Sequence, residues 1–261
     1  MYWMAIGEHD LPDDNTWLSA IEADKLAGIR FAKRRNEYLL RRYVGKRAVA
    51  VILGRPLASE ALAGIEILNR DDGSPYVRVD GQHLAFELSL ADRAGWAVAL
   101  VSGQLAGNGT RTTPGAGTIG IDLELVEPRS PGFVTDWLTS TEQEHLRGLP
   151  GEDSQAQAAN LIWSAKEAAL KVFHTGLRAD TRSVEVSLGT GREVGGWAPL
   201  VVEDRTGVAE GSLTGWWRRD HNYVVTVVTC ERDDPPHLLE ASSALAEARP
   251  SQSWLVAPLA D

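Results

Sequence analysis

The sequence predicts an α+β protein made of two similar lobes. The second half of the chain repeats the rough order of the first, which is a strand, then helices, then antiparallel strands. A segment rich in glycine and threonine, residues 102–118, separates the two halves. Strands that are grouped apart from helices are typical of α+β proteins. We therefore expect one lobe at 1–116, a second at 117–235 and a peripheral tail at 236–261.

In the first half, apolar residues recur at the 3.6-residue period of a helix over residues 18–54. Gly28 predicts a bend that divides this stretch into two helices. A turn and a strand are expected at 70–79, and two strands around a tight turn at 83–101. The second of the two helices carries a dense basic run, which comprises Lys33, Arg34, Arg35, Arg41, Arg42, Lys46 and Arg47.

The second half opens with the strand in 117–125 and continues with two short helices. Ser140 or Thr141 is the expected N-cap of the second short helix, with Glu144 at capping-box distance. A long helix is expected over 152–177, ending at Gly176. From Val184 onward the pattern is that of strands and turns.

Composition narrows the class of protein. The chain has 261 residues, of which 43% are hydrophobic, and this is typical of a globular protein with its own core. Its single cysteine excludes an internal disulfide framework and predicts a cytoplasmic location. A net charge of −10 disfavours nonspecific binding to nucleic acid, and no apolar run is long enough to predict a membrane span.

One strand carries two acidic residues on one face. Asp122 and Glu124 are two positions apart in GIDLEL, so their side chains point the same way. Carboxylates this close repel each other unless a cation or donor lies between them, and Mg²⁺ prefers one or two carboxylates together with phosphate oxygens. The alternative is a half-exposed edge strand with a solvated acidic face.

The helix in LIWSAKEAALKVF places more polar groups on one face. Trp163, Glu167 and Lys171 follow each other at four-residue spacing, and Lys166 lies beside them. If this helix covers the acidic strand, Glu167 becomes a third metal ligand and Lys171 a nearby cation. The alternative is an amphipathic helix with a surface Glu167–Lys171 pair.

Together, GIDLE and WSAKEAALK resemble the two signatures of the 4′-phosphopantetheinyl transferase superfamily, G-I/V-D-x-E and W-x-x-K-E-x-x-x-K. The basic helix, the GSP turn and the segment FELSLAD further resemble the Sfp-type branch, over roughly residues 30–230. The resemblance implies the pseudo-twofold fold of that family, with coenzyme A between the lobes. It also implies a monomeric, Mg²⁺-dependent enzyme that transfers the 4′-phosphopantetheine arm to a serine of an acyl or peptidyl carrier protein.

The resemblance also assigns roles to residues of this chain. It implies a Mg²⁺ site made of Asp122, Glu124 and Glu167. Catalysis would rest on Glu124, Glu167 and Lys171, with a carboxylate as one candidate for the base. The implied coenzyme A contacts are Arg34, Arg42, Lys166 and Lys171. Trp163 is interpreted as a packing residue, and Glu142 as an acidic residue of a short helix whose role is open.

Two positions depart from the family pattern. Ser74 stands where the family has a phosphate-binding lysine, and Leu90 stands where it has a histidine. A second hypothesis is therefore a diverged homologue that keeps the fold and the metal site but acts on another ligand, such as a carrier-bound polyketide or peptide intermediate. A third is a noncatalytic carrier-binding module, which the complete Asp122, Glu124, Glu167 and Lys171 set disfavours.

Overall fold

A computed structural model describes residues 1–103, 119–174, 179–189, 191–205, 212–231 and 233–251. The helices are Ala20–Ala27 (α1), Ala32–Ile52 (α2), Ser59–Ala63 (α3), Pro131–Trp137 (α4), Ser140–Gly148 (α5) and Glu152–Val172 (α6). The strands are Tyr2–Gly7 (β1), Ile65–Asn69 (β2), Pro75–Val79 (β3), Gln82–His83 (β4), Glu87–Arg93 (β5), Trp96–Ser102 (β6), Ile119–Leu125 (β7), Val184–Leu188 (β8), Ala198–Asp204 (β9), Ser212–Asp220 (β10), Tyr223–Thr229 (β11) and His237–Leu238 (β12). This confirms the predicted α+β class.

Two sheets packed face to face form the centre of the molecule. The first has the strand order β12-β1-β6-β5 and the second the order β7-β11-β10-β9-β8. A small third sheet, β2-β3-β4, stands beside the first. Successive side chains of a strand point to opposite faces, so each central strand contributes to two cores. Helix α2 covers the outer face of the first sheet, and α6 covers the outer face of the second.

Strand β1 shows how one strand serves both cores. Met4 and Ile6 point toward α2, whereas Trp3 and Ala5 point into the layer between the two sheets. The same layer receives Ile121 from β7, on the face opposite to Asp122. The acidic face of β7 therefore points toward α6.

A buried glutamate–lysine pair occurs once in each half of the chain. In the first half, Glu22 accepts a hydrogen bond from the backbone amide of Ile67 and lies 2.6 Å from the ammonium of Lys46. That ammonium also donates to two backbone carbonyls. In the second half Glu142 and Lys166 make the same kinds of contact, with the amide of Val186 and an ion pair of 2.9 Å.

Both glutamates also belong to capping boxes. Ser19 caps α1 and Thr139 caps α5, and each receives its glutamate at the third helical position. The cap, the glutamate and the lysine have the same spacing in the two halves. This local repetition is present even though the letters of the two halves show no obvious repeat.

Several sequence-based boundaries need correction. The cap of α5 is Thr139 with Glu142, and not Ser140 or Thr141 with Glu144. Helix α6 ends at Val172, and the predicted stop at Gly176 lies outside the described residues. The boundary predicted between 116 and 117, together with most of the segment 102–118, also lies outside them.

The prediction of a peripheral tail is wrong for residues 237–251. Strand β12 pairs in parallel with β1, and Leu245 and Ala248 are buried in the layer between the two sheets. The indole of Trp96 donates to the carbonyl of Arg249. This segment therefore runs back from the second sheet to the first and packs against both. In the parts of the chain that the structure describes, no helix has the length and apolarity to cross a membrane.

We expect Leu245→Ala to destabilise the protein by about 2–5 kcal/mol, because Leu245 is fully buried and its removal leaves a cavity. The matched control is Phe31→Ala, since Phe31 is 70% exposed and a substitution there is expected to change stability by no more than about 0.5 kcal/mol. Urea unfolding of both variants is the measurement. Equal midpoints for the two would contradict a structural role for this segment.

Candidate functional site

The acidic face of β7 is covered by α6, and Gly120 permits this close packing. A Cβ atom at position 120 would overlap with the backbone carbonyl of Ala168 in α6. Because the helix lies against the strand here, the side chains of Asp122 and Glu124, two and four residues further along β7, also face α6. Asp122 and Glu124 are only 4% and 8% exposed. The solvated edge strand considered from the sequence is therefore not what the chain forms.

Asp122 has one oxygen engaged and one without a partner. Its Oδ1 accepts a hydrogen bond of 2.9 Å from the ammonium of Lys171, which also donates to the carbonyl of Ile121 at 2.7 Å. Its Oδ2 is buried and has no hydrogen-bond partner among the residues that the structure describes. A buried carboxylate oxygen without a donor is costly, so this atom is where a cation would gain most.

Glu124 has both of its oxygens engaged. Its Oε2 lies 2.9 Å from Arg129 Nη2 and 3.0 Å from Arg93 Nε, and its Oε1 accepts 3.1 Å from the indole of Trp163. Burial raises the pKa of Glu124, while the two arginines act in the opposite direction. Glu124 is thus oriented by hydrogen bonds from Arg129 and Trp163 and by an ion pair with Arg93.

Glu167, which lies on α6, is the third carboxylate residue of the site. Burial, followed by the nearby charge of Asp122, raises the pKa of Glu167 to about 8, against the lowering effect of Lys171. The charge of Glu124 acts in the same upward direction, so the three carboxyl groups lie close enough to influence one another. The structure therefore brings together Asp122, Glu124, Glu167 and Lys171, as the sequence predicts.

Trp163 combines packing with a polar contact. Its ring meets Phe133 and Trp137 of α4 edge to face, at centroid distances of 5.2 and 5.5 Å. The packing interpretation is therefore correct but incomplete, because its Nε1 also donates to Glu124.

The structure argues against the coenzyme A contact predicted for Lys166. Its side chain is fully buried, and its ammonium is held by Glu142 and by the carbonyls of Thr181 and Val184. Burial lowers the pKa of Lys166, and Glu142 is the largest opposing influence. Lys166 and Glu142 therefore form part of the core, whereas Lys171, one turn later, reaches the site.

The two predicted arginines differ in their surroundings. Arg34 lies in the first turn of α2 and is exposed. Arg42 is only 4% exposed, stacks on the ring of Tyr38 at 4.7 Å and donates to Asn69. Of the described carboxylates, none forms an ion pair with Arg42, and its Nε has no hydrogen-bond partner. A buried guanidinium that lacks a carboxylate partner favours the binding of an anionic ligand.

The turn that contains Ser74 contacts the end of α6. Asn69 donates to the carbonyl of Gly73, which places Arg42 beside this turn. Asp72 accepts hydrogen bonds from Ser74, which lower the pKa of Asp72 to about 2, and its Oδ2 lies 3.1 Å from Nδ1 of His174. His174 follows α6 directly, so the first half of the chain touches the helix that carries Glu167 and Lys171.

Leu90, by contrast, does not face a polar region. It is buried in the apolar core beneath α2, next to Gly45 and Ile67. The neighbouring Ser89 points the other way, and its Oγ accepts a hydrogen bond from the amide of Ile121 in β7.

Sequence reasoning missed three residues of the site. Arg93 and Arg129 hold Glu124, and Asn160 fixes Arg129 through an Oδ1 contact of 2.6 Å to its Nε. Asn160 also donates to the carbonyl of Glu127. Position 160 lies three residues before Trp163 on the same helical face, and this spacing was the one sequence signal that could have identified it.

The carboxylates fit a divalent cation in an open site. Within the described residues, no group of three or more His, Cys, Asp and Glu side chains is arranged as a ready metal cage. This agrees with the contacts, because Glu124 turns its oxygens to arginine and tryptophan. Mg²⁺ needs only one or two carboxylates when waters and phosphates complete its shell. The unpartnered Oδ2 of Asp122 and the adjoining Glu167 supply that donor set.

Residues 118–197 match the family model of the 4′-phosphopantetheinyl transferase superfamily. The matched segment contains both the strand with Asp122 and Glu124 and the helix with Glu167 and Lys171. It confirms the resemblance predicted from the sequence. The superfamily match supports phosphopantetheine transfer, and hence a transferase, in general terms. No curated protein gives a significant match to the chain.

We expect Lys166→Met to cost about 3–5 kcal/mol of unfolding free energy, because it leaves Glu142 as an uncompensated buried charge. Lys33→Met is the control, since Lys33 is 55% exposed and its ion pair with Glu37 is long, at 3.9 Å. Chemical denaturation separates the two variants. If Lys166→Met were as stable as Lys33→Met but bound coenzyme A more weakly, a ligand-binding role for Lys166 would be restored.

We expect the metal-free protein to lose stability as the pH rises toward 8. The folded pKa of Glu167 is raised above its ordinary value near 4.5 to about 8. The folded state therefore holds a proton that the unfolded state has released, and stability falls with pH between these two values. Glu167→Gln removes this term, so its melting temperature in EDTA should exceed that of the wild type at pH 8 and approach it at pH 5. If the melting temperatures of Glu167→Gln and the wild type differed by the same amount at pH 5 and pH 8, the raised pKa of Glu167 would be contradicted.

Proposed function

We propose that the protein transfers the 4′-phosphopantetheine arm of coenzyme A to a serine of an acyl or peptidyl carrier protein. The observation that carries this proposal is the buried pair of carboxylates Asp122 and Glu124 beside Lys171, with one Asp122 oxygen unpartnered among the described residues. The superfamily match over the same residues agrees with it. The carrier would belong to polyketide or nonribosomal peptide assembly.

The proposed ion site consists of Asp122, Glu124 and Glu167. Asp122 and Glu167 supply the oxygens that are best placed to accept a cation, and Glu124 completes the acidic set with the second lone pairs of its engaged oxygens. When bound, Mg²⁺ would neutralise charge on the pyrophosphate as the bond to the leaving 3′,5′-ADP breaks. This charge stabilisation is the main requirement of the reaction.

The side chains of this protein have separate tasks in the proposed reaction. Lys171, which is 30% exposed, would donate to phosphate oxygens from the edge of the site. The attacking serine needs a group that takes its proton, and Glu124 and Glu167 are the candidates. The contacts favour Glu167, because both oxygens of Glu124 already accept hydrogen bonds.

The proposed nucleotide contacts lie in the first half of the chain. Arg42 is a buried cation with no carboxylate partner in the described part of the chain, and it lies beside the turn that touches the end of α6. Arg34 would act from the exposed first turn of α2. Lys166 is left out of this set because its ammonium is saturated within the core.

We also propose that lobes 1–116 and 117–235 are similar and that one chain forms the complete cleft. The repeated pairs Glu22–Lys46 and Glu142–Lys166 support similar lobes. We propose a monomer in the cytoplasm, since both sides of the cleft would come from one chain and the sequence has a single cysteine.

The second candidate is a homologue that keeps the ion site and acts on another carrier-bound ligand. Ser74 and Leu90 favour it, since Ser74 is engaged with Asp72 and Leu90 is buried in an apolar core. Neither position offers a cation to a nucleotide phosphate.

Incubation of an apo carrier protein with coenzyme A and Mg²⁺, followed by intact-mass spectrometry, tests the proposal. We expect the carrier to gain one phosphopantetheine group. Asp122→Asn and Lys171→Ala should each lower the rate by about 100-fold or more, because each removes charge stabilisation from the site. Asp153→Asn is the control, since Asp153 is 74% exposed and pairs with Arg219 on the surface. Divalent metal binding without any gain of mass would favour the second candidate.

A further inference from the structure

Arg93 reaches the acidic site from the sheet that carries none of the proposed metal ligands. It is the final residue of β5, and its side chain points to the same side of that strand as Ser89, toward β7. Its Nε lies 3.0 Å from Oε2 of Glu124, and its Nη2 lies 3.2 Å from Oε1 of Glu127. The side chain is 16% exposed, so these contacts are made largely out of water.

Two arginines and two glutamates form one cluster with equal numbers of positive and negative side chains, which are Arg93, Arg129, Glu124 and Glu127. Arg129 holds the same oxygen of Glu124 as Arg93 does, from the segment that follows β7. Glu127 is 4% exposed and has Arg93 as an ion partner. Arg93 is therefore the residue whose planar guanidinium spans both glutamates at once, a geometry that lysine does not reproduce.

Glu124 is held by two hydrogen bonds and an ion pair that come from three separate elements. Arg93 comes from β5, Arg129 from the segment after β7 and Trp163 from α6. The orientation of Glu124 next to Asp122 is thus set partly by how the first sheet packs on the second. Outer partners of this kind fix the orientation of metal-ligating groups.

We propose that Arg93 is a positioning residue for the divalent-cation site, acting through Glu124. This inference rests on the proposed function only in requiring that Asp122, Glu124 and Glu167 bind a divalent cation. Arg93 itself touches neither the cation nor the substrates. It makes the geometry of the site depend on the contact between the two sheets.

The test is the affinity of the full chain for Mn²⁺ alone, measured by electron paramagnetic resonance without coenzyme A. Removing a positive charge beside a cation site tightens cation binding if charge is all that matters. Loss of positioning, by contrast, weakens cation binding. We expect Arg93→Met to weaken Mn²⁺ binding by about 10- to 100-fold, the usual effect of removing an outer partner of a metal ligand.

Arg93→Lys keeps the buried charge compensated and so tests the geometry at a stability closer to that of the wild type. We expect it to weaken Mn²⁺ binding as well, by more than about threefold, because the fork that spans Glu124 and Glu127 is lost. The matched control is Arg47→Met, which breaks the 3.1 Å pair between α2 and Glu240 at a similar exposure. We expect that control to lower the melting temperature and to leave Mn²⁺ affinity unchanged.

The outcomes separate the two proposals. Wild-type binding of Mn²⁺ with equal or tighter binding by Arg93→Met and Arg93→Lys would overturn the role of Arg93 and leave the ion site standing. The absence of Mn²⁺ binding in the wild type would overturn both. Carrier modification by the wild type together with unchanged Mn²⁺ affinity in the Arg93 variants would retain the proposed function alone.

Discussion

The close contact between α6 and β7 is the constraint on which the site depends. A strand with two carboxylates on one face normally presents that face to water. Gly120 removes the side chain that would hold the helix away, and α6 then covers Asp122 and Glu124. The same contact brings Glu167 and Lys171 down onto the strand. Burial, which raises the pKa of Glu124 and of Glu167, is therefore a consequence of packing around one glycine.

Buried charge serves two purposes in this molecule. In the Glu22–Lys46 and Glu142–Lys166 pairs each partner is also hydrogen-bonded to backbone, so the charges are compensated and the pairs fix helices to strands. At the site the compensation is incomplete, because no described residue donates to one oxygen of Asp122 and Glu167 adds a further carboxyl. Free energy of folding is given up there, as is common at functional sites. Lys166 and Lys171 lie on the same helix, but Lys166 belongs to a compensated pair and Lys171 to the site where compensation is incomplete.

The sequence was most informative where chemistry and periodicity agreed. The two-residue spacing of Asp122 and Glu124 and the four-residue spacing of Glu167 and Lys171 predicted which side chains share a face, and the structure brings those faces together. Lys166 was misplaced because a residue beside a helical face can point either to the site or to the core. Only the position of β8 and of the Thr181 carbonyl decides between them.

Contacts between distant segments could not be predicted in this way. Arg93 reaches Glu124 from another sheet, and nothing in its own neighbourhood in the sequence signals that partner. The segment 237–251 is poor in regular pattern, so its burial depends on a surface that the rest of the chain creates. Short parallel pairing, as between β12 and β1, leaves almost no trace in local sequence.

The return of this segment to β1 has a consequence for the order of events during synthesis. Strand β1 leaves the ribosome well before its neighbour β12 and the buried Leu245, which emerge only after the other strands of both sheets. The edge of β1 and the apolar layer beneath residues 244–248 therefore stay open until then. A nascent chain that pauses before this point exposes an unpaired strand edge beside an apolar surface, the combination that chaperones recognise and that favours aggregation.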